Sequence, residues 1–280
     1  MPPLPEADCT AEAPRLTISV ARLEQLSPAL LELGCPARVY IPLEEVSRLE
    51  SLPGEGPEWC AVLPRVWRDR DEPALRTLLE RARALGFTGV LIGNLGHLPL
   101  VRGLNFHLYG DYGLNVFNSR SLAYLKDKEL ESACVSFELR FAQIRDLKKV
   151  LRAEAIVYGR LPLMITENCL VQNETGCRLD RQGPCVPEDG PCRGQPNVLV
   201  DRTGAAFPLL PAYGHRTEIQ NSKPLYLADR PEHRRLGLAY ARLRFTTETA
   251  EECVSVVQNY LDAAPAAGDF TRGLYERGVE

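Results

Sequence analysis

Eight short runs rich in β-branched and aromatic residues recur along the 280-residue chain, and most are followed by a stretch of helical period. This alternation constrains the fold more than any other feature. Strands that alternate with helices are parallel, because a helix is the connection long enough to return the chain to the same edge. The runs are Leu16–Val20, Ala37–Ile41, Trp59–Val66, Gly89–Ile92, Asn105–Tyr109, Cys134–Phe137, Ala155–Tyr158 and Leu238–Phe245. Helices are predicted over Leu23–Leu33, Ala74–Leu85, Asn118 or Ser119 to Lys126, the stretch after Glu138 up to Leu151, and Glu248–Leu261. Gly34 and Gly86 stop the first two, and Thr246-Thr247 caps the last. The connections over Leu43–Ser51 and His97–Gly103 are weakly helical. Eight units predict an α/β protein with a (β/α)8 TIM-like barrel. A doubly wound open sheet is the alternative, and no glycine-rich dinucleotide fingerprint follows the first strand to support it.

One connection breaks the pattern. About eighty residues separate the last two strands, too many for a plain loop. Within them Asn197–Val200 and Ala206–Leu210 predict a small hairpin around Asp201–Gly204. Residues 161–232 are therefore expected to form an insert between strands 7 and 8, on the face where barrel active sites are built. Residues 1–15 are expected to be a disordered lead-in and 16–280 the barrel.

The insert holds Cys169, Cys177, Cys185 and Cys192, spaced C-x7-C-x7-C-x6-C among Gly, Pro, Asp and Asn. Structural zinc prefers paired C-x2–4-C ligands, which are absent. Widely spaced thiolates suit an iron–sulfur cluster, with zinc, disulfides or plain reduced cysteines as the other readings. Cys60, Cys134 and Cys253 lie in apolar elements and are expected to fill core. A net charge of −4 gives no global pull toward nucleic acid or anionic membranes. No apolar run is long enough for a membrane span. The acidic, proline-rich start lacks the apolar region of a signal peptide, so a cytoplasmic location with reduced cysteines is expected.

Tyr158–Cys169 reads YGRLPLMITENC, a distinctive string. With GNLG (Gly93–Gly96), HLYGDYGLNVFNS (His107–Ser119), VSFEL (Val135–Leu139), DRTGAAFPLL (Asp201–Leu210), GHRTEIQNSKPLYLAD (Gly214–Asp229) and FTRGLYERGVE (Phe270–Glu280), it resembles peptidase family U32. The likeness is to the C-terminal part of the long members, which carry another collagenase-like domain upstream. It implies a barrel-like fold and a 4Fe–4S cluster on four cysteines. Cys169 and Cys177 match the first two family positions, and Cys192 or Cys185 the third. The fourth falls in a G-C-R-N-E-I motif that here reads Gly214-His215-Arg216-Thr217-Glu218-Ile219. Either His215 or Cys185 then completes the set, or the cluster has been lost.

Residues at the C-terminal ends of the predicted strands are candidates for chemistry. Asp111, Glu138, Arg160 and Glu167 are candidate catalytic groups for proton transfer and anion binding, and Asn94, Asn115, Asn118 and Arg216 candidate substrate contacts. Helix capping by Asp111 and Glu138, and pairing of Arg160 with one of them, is the plainer reading. The tail residues Arg272, Gly273 and Tyr275 are expected either to fold over the barrel mouth or to stay disordered. Family relatives imply oxygen-independent hydroxylation of ribosomal RNA or tRNA, or of the ubiquinone ring, with RNA or an upstream U32 barrel as partner. A collagenase-like peptidase is the second reading. No H-E-x-x-H or G-x-S-x-G motif supports it, and of the four histidines His107 is expected in the core. The third is a non-catalytic half that docks to an upstream barrel.

Overall fold

The computed structural model describes residues 3–7, 13–33, 36–175 and 197–278. Eight parallel strands close into a barrel: β1 (Arg15–Ser19), β2 (Arg38–Pro42), β3 (Glu58–Val62), β4 (Gly89–Ile92), β5 (His107–Gly110), β6 (Ser132–Cys134), β7 (Arg152–Gly159) and β13 (Tyr240–Arg244). β6 pairs with β7, β7 with β13, and β13 with β1, which completes the circle. The predicted barrel is thus the fold.

Between β7 and β13 lies a second, antiparallel sheet in the order β8 (Pro162–Thr166), β11 (Arg216–Gln220), β10 (Ala206–Ala212), β9 (Val198–Val200). Asp201 turns the chain between β9 and β10: its carboxylate accepts from the Thr203 and Ala205 amides at 2.8 and 3.0 Å. β12 (Leu225–Tyr226) pairs antiparallel with the end of β7. Cys177, Cys185 and Cys192 lie outside the described residues.

Side-chain alternation along the strands makes two separate cores. Outward-facing Ile18, Val39, Ile41, Ala61, Val90, Ile92 and Leu243 pack against the surrounding helices. These include α2 (Glu72–Ala84), α4 (Ser119–Asp127) and α7 (Ala250–Leu261). Inside the barrel, Tyr40, Cys60, Leu91 and Tyr109 form a small second cluster. Gly89 gives it room, since a Cβ there would stand 2.6 Å from the Cys60 sulfur and 2.7 Å from the Tyr109 ring. Cys60, Cys134 and Cys253 are buried, in keeping with core filling.

Several element boundaries move. The predicted helix over Leu23–Leu33 splits into a 3-10 turn (Leu23–Gln25) and α1 (Pro28–Glu32). Pro28 has no N–H to continue a helix but suits its first turn, and Ser27 caps it through the Leu30 amide at 3.2 Å. The sixth strand ends at Cys134 rather than beginning there, with Val135 adding one bridge to Val116. The helix after Glu138 shortens to α5 (Phe141–Asp146), because Lys149 turns back and donates to the Ile144 and Arg145 carbonyls. His107 is exposed, not core, and pairs with Glu131. The described part of the tail packs on the barrel: Tyr275 is buried and donates to the Ile156 carbonyl at 2.6 Å. None of its described residues lines the barrel-mouth cavity.

Candidate functional site at the barrel mouth

The barrel interior is charged rather than aliphatic, and its ion pairs stack in three tiers along the axis. At the bottom, Arg38 donates to Glu58 at 2.8 Å, Ser132 at 2.9 Å and the Tyr240 hydroxyl at 3.0 Å. Its guanidinium lies 3.6 Å from the ring centre of Tyr109 and 4.1 Å from that of Tyr240. In the middle, Glu154 accepts from Thr17 at 2.6 Å, Tyr40 at 3.2 Å and both Nε and Nη2 of Arg242. Arg242 also reaches Asp111 at 2.5 Å. Burial alone would weaken the guanidinium's hold on its proton, but Glu154 and Asp111 carry it well above the ordinary value. At the top, Glu218 accepts from Arg65 at 3.1 Å and Arg244 at 2.9 Å.

Glu218 comes from β11, so the top tier ties the antiparallel sheet to the barrel. In the Arg216–Gln220 strand, Arg216, Glu218 and Gln220 alternate toward the barrel. Arg216 donates to the Val66 and Tyr213 carbonyls, and Gln220 accepts from Arg244 at 2.8 Å. Between sheet and barrel lies a cavity of about 230 Å³. Asp111, Tyr112, Arg65, Arg242, Arg244 and Glu218 give its polar surface. Glu44 and Glu45 line its rim beyond β2, while Leu209–Tyr213 of the second sheet and Ile165 roof it. The Glu44 carboxyl is pushed up to about 7, first by burial and then by neighbouring Glu45.

The sequence-predicted residues scatter around this cavity. Asp111 lines it, buried on Arg242. Asn94 does not line it but donates to the carbonyl of Arg65, which does, at 3.0 Å. Arg160 points elsewhere, donating to the Asn221 and Ser222 carbonyls. Glu167 is exposed and joins Arg68 at 2.9 Å and Arg216 at 3.1 Å, which hold its carboxyl below the usual range. Asn118 caps α4 through the Arg120 and Ser121 amides, and Asn115 adopts a left-handed backbone at φ 51°. Glu138, Asn115 and Asn118 do not line the cavity. Arg65, Arg242, Arg244, Glu44 and Glu218 were not predicted. The period-2 charges in YARLR and RTEIQ were the signal for Arg242, Arg244 and Glu218.

A second polar corner lies where β8, β11 and α6 (Leu170–Thr175) meet. The Leu170 amide donates to Thr217 Oγ1 at 3.0 Å, which ties the start of α6, next to Cys169, to β11. Cys169 is a free, half-buried thiol. His215, at φ 57°, is buried at 7% exposure, and its Nε2 has no hydrogen-bond partner among the described residues. A buried polar atom without a partner is uncommon and calls for an explanation. Among the described residues no group of three or more His, Cys, Asp or Glu is placed to hold a metal. An imidazole and a thiolate are nonetheless donors that suit iron–sulfur ligation.

His97 is structural. Its Nδ1 accepts from the Gly93 amide at 3.1 Å, so Nε2 carries the proton and donates to the Pro64 carbonyl at 3.1 Å. It thereby holds together the loops that follow β3 and β4. Burial lowers its pKa to about 4. The unfolded chain takes up this proton below about pH 6.5, and the fold does not until near 4. Stability contributed by the neutral ring is therefore whole above that window and falls as pH drops through it, by at most about 3 kcal/mol. Denaturant melts at several pH values should show this slope in the wild type and a shallower one in His97→Gln; equal slopes would rule it out.

Among the described residues, no histidine lines the cavity. The Cys60, Cys134 and Cys253 thiols are each pushed up by burial, so they are poor nucleophiles. No helix among the described residues is long and apolar enough to cross a membrane.

No curated protein matches the chain. A solved structure described as that of the U32 peptidase Mk0906 is similar at 10% identity and a TM-score of 0.47, covering 89% of this chain and 98% of that one. Octameric ribulose-1,5-bisphosphate carboxylase/oxygenase from Pyrococcus horikoshii OT3, solved with sulfate, is similar at 10% identity and a TM-score of 0.32, covering 51% of this chain and 46% of that one. The family model of peptidase family U32 matches residues 52–261, well over half of the chain. The chain belongs to peptidase family U32.

Proposed function

We propose that this chain is an iron–sulfur member of family U32 that takes part in oxygen-independent hydroxylation of RNA, in the modification of ribosomal RNA or tRNA. The observation that carries the cluster part is the buried Nε2 of His215, without a partner among the described residues, in the turn that leads into the strand Thr217 ties to the Cys169 corner. A ligand to iron is the partner such an atom lacks. Cys169 and His215 would hold the cluster together with thiolates from Cys177, Cys192 or Cys185. When bound, a cluster supplies one-electron chemistry. The chain's own residues do the rest: the charged cavity orients a small polar group, and its sheet roof shields it from water. The RNA part rests on the resemblance of the motifs.

The family name favours a peptidase, but among the described residues the cavity holds no nucleophile with a histidine base. Anaerobic purification separates the readings. A brown protein with broad absorbance near 400 nm and about four irons per chain is expected. His215→Ala and Cys169→Ala should each lose most of the iron while the far-UV circular dichroism stays unchanged. RNA from cells lacking the protein should lack the mass of one oxygen at one nucleotide. A colourless wild type that cleaves gelatin would favour the peptidase.

A further inference from the structure

Among the described residues, one carboxyl in the mouth cavity has no cation opposite it. Asp111 has Arg242, Glu218 has Arg65 and Arg244, and Glu45 has Arg48 at 2.6 Å. Glu44 stands two residues beyond β2, on the barrel rim, half-buried, among the lining residues. The influences on its proton are burial, its own backbone and Glu45; no guanidinium is among them. Other charged groups do line the cavity: Arg22 from the connection after β1, Arg65 from that after β3, and Asp111, Arg242, Arg244 and Glu218 deeper in. From the roof comes Tyr213, whose hydroxyl feels Glu44 together with Asp71, Arg70 and Arg216.

We propose that Glu44 anchors a binding site for a small primary amine, whose ammonium group supplies the missing cation. A lone carboxylate withdrawn from water is costly, and the empty protein relieves that cost by keeping a proton on Glu44 up to near neutral pH. An ammonium relieves it better, with charge and three N–H donors. The remaining wall suits the apolar body of such a molecule: Leu63, Val66, Leu209, Pro211 and Tyr213 surround the rim. At about 230 Å³ the cavity is smaller than most drug-sized pockets, which limits that body to about one ring or a short chain. Binding to the protonated form releases one proton from Glu44 to solvent. Affinity therefore falls about tenfold per pH unit below 7 and is level above it, until the amine itself loses its charge.

This inference does not depend on the cluster, and the iron content of the same preparation is read separately. The test titrates benzylammonium, benzyl alcohol and benzoate into the full chain by calorimetry, at about pH 6, 7 and 8 and in two buffers of different ionisation enthalpy. Saturable binding of benzylammonium alone is expected, with net proton release at the lower pH values. Glu44→Gln should weaken it at least tenfold and abolish the proton release. If that variant fails to fold, proton release by the wild type decides. Absence of saturable benzylammonium binding, equal binding of benzoate, or binding without proton release at pH 6 would overturn the proposal. Tighter binding of Phe-Gly-amide than of benzylammonium would overturn the small-amine assignment in favour of a peptide terminus.

Discussion

Arg242→Met is expected to cost the fold about 3–5 kcal/mol, enough to erase much of the margin of an ordinary domain. Arg242 is 1% exposed and is the cation for both Asp111 and Glu154. Methionine fills similar volume, so little of the loss would come from a cavity. The loss comes from leaving two carboxylates inside the barrel without the charge that justified burying them. Glu154 would keep the hydroxyls of Thr17 and Tyr40, but Asp111 would lose its partner at 2.5 Å. Adding Asp111→Asn and Glu154→Gln to Arg242→Met should therefore recover stability, an effect opposite to that of two further independent lesions. Guanidinium melts of the single and triple variants check this. A single variant within 1 kcal/mol of wild type, or a triple variant less stable than the single, would show that the tier is not held by charge compensation.

Gly159→Ala should be the most damaging of the conservative substitutions, at about 2–5 kcal/mol. Gly159 ends β7 at φ 116°, a conformation that side chains resist, and a Cβ there would lie 2.0 Å from the carbonyl oxygen of Arg244. That oxygen is backbone in the neighbouring strand, so relief requires β7 and β13 to part. Those strands already shift register between Arg242 and Leu243. Parting them would also move Arg244, whose Nη1 donates to the Arg160 carbonyl at 2.6 Å, and so loosen the top tier. Gly204→Ala is the control. Gly204 has φ 86° but nothing within 4 Å of an added Cβ, so it carries the backbone penalty alone, about 1 kcal/mol. Similar melting points for the two variants would remove the close approach as the cause.

The barrel was legible because its outward-facing residues are aliphatic in short runs, a pattern set by local alternation and needing no knowledge of partners. Its boundaries slipped where a tertiary contact ended an element. Lys149 caps α5 from beyond the helix, and no periodicity in Phe141–Leu151 announces that. The mouth cavity was half legible. Asp111 was visible as a polar residue after a strand, whereas Arg65, Arg244 and Glu218 lie 153 and 26 residues apart in the pairs that join them. Glu44 follows a strand too, but the weak helical pattern after Pro42 hid it among ordinary surface acids.

The chain's own alternation of apolar and polar residues, together with its motif strings, determined a parallel eight-stranded barrel of family U32 with a hairpin-bearing excursion before the last strand. Local periodicity reports which side of a strand meets oil, and that is enough for this much. Only the tertiary structure decided which interior charges neutralise one another and, among the described residues, which carboxyl is left without a cation and that the His215 nitrogen is buried with no partner. Charge compensation acts through space between strands far apart in sequence, so it exists only once the barrel has closed.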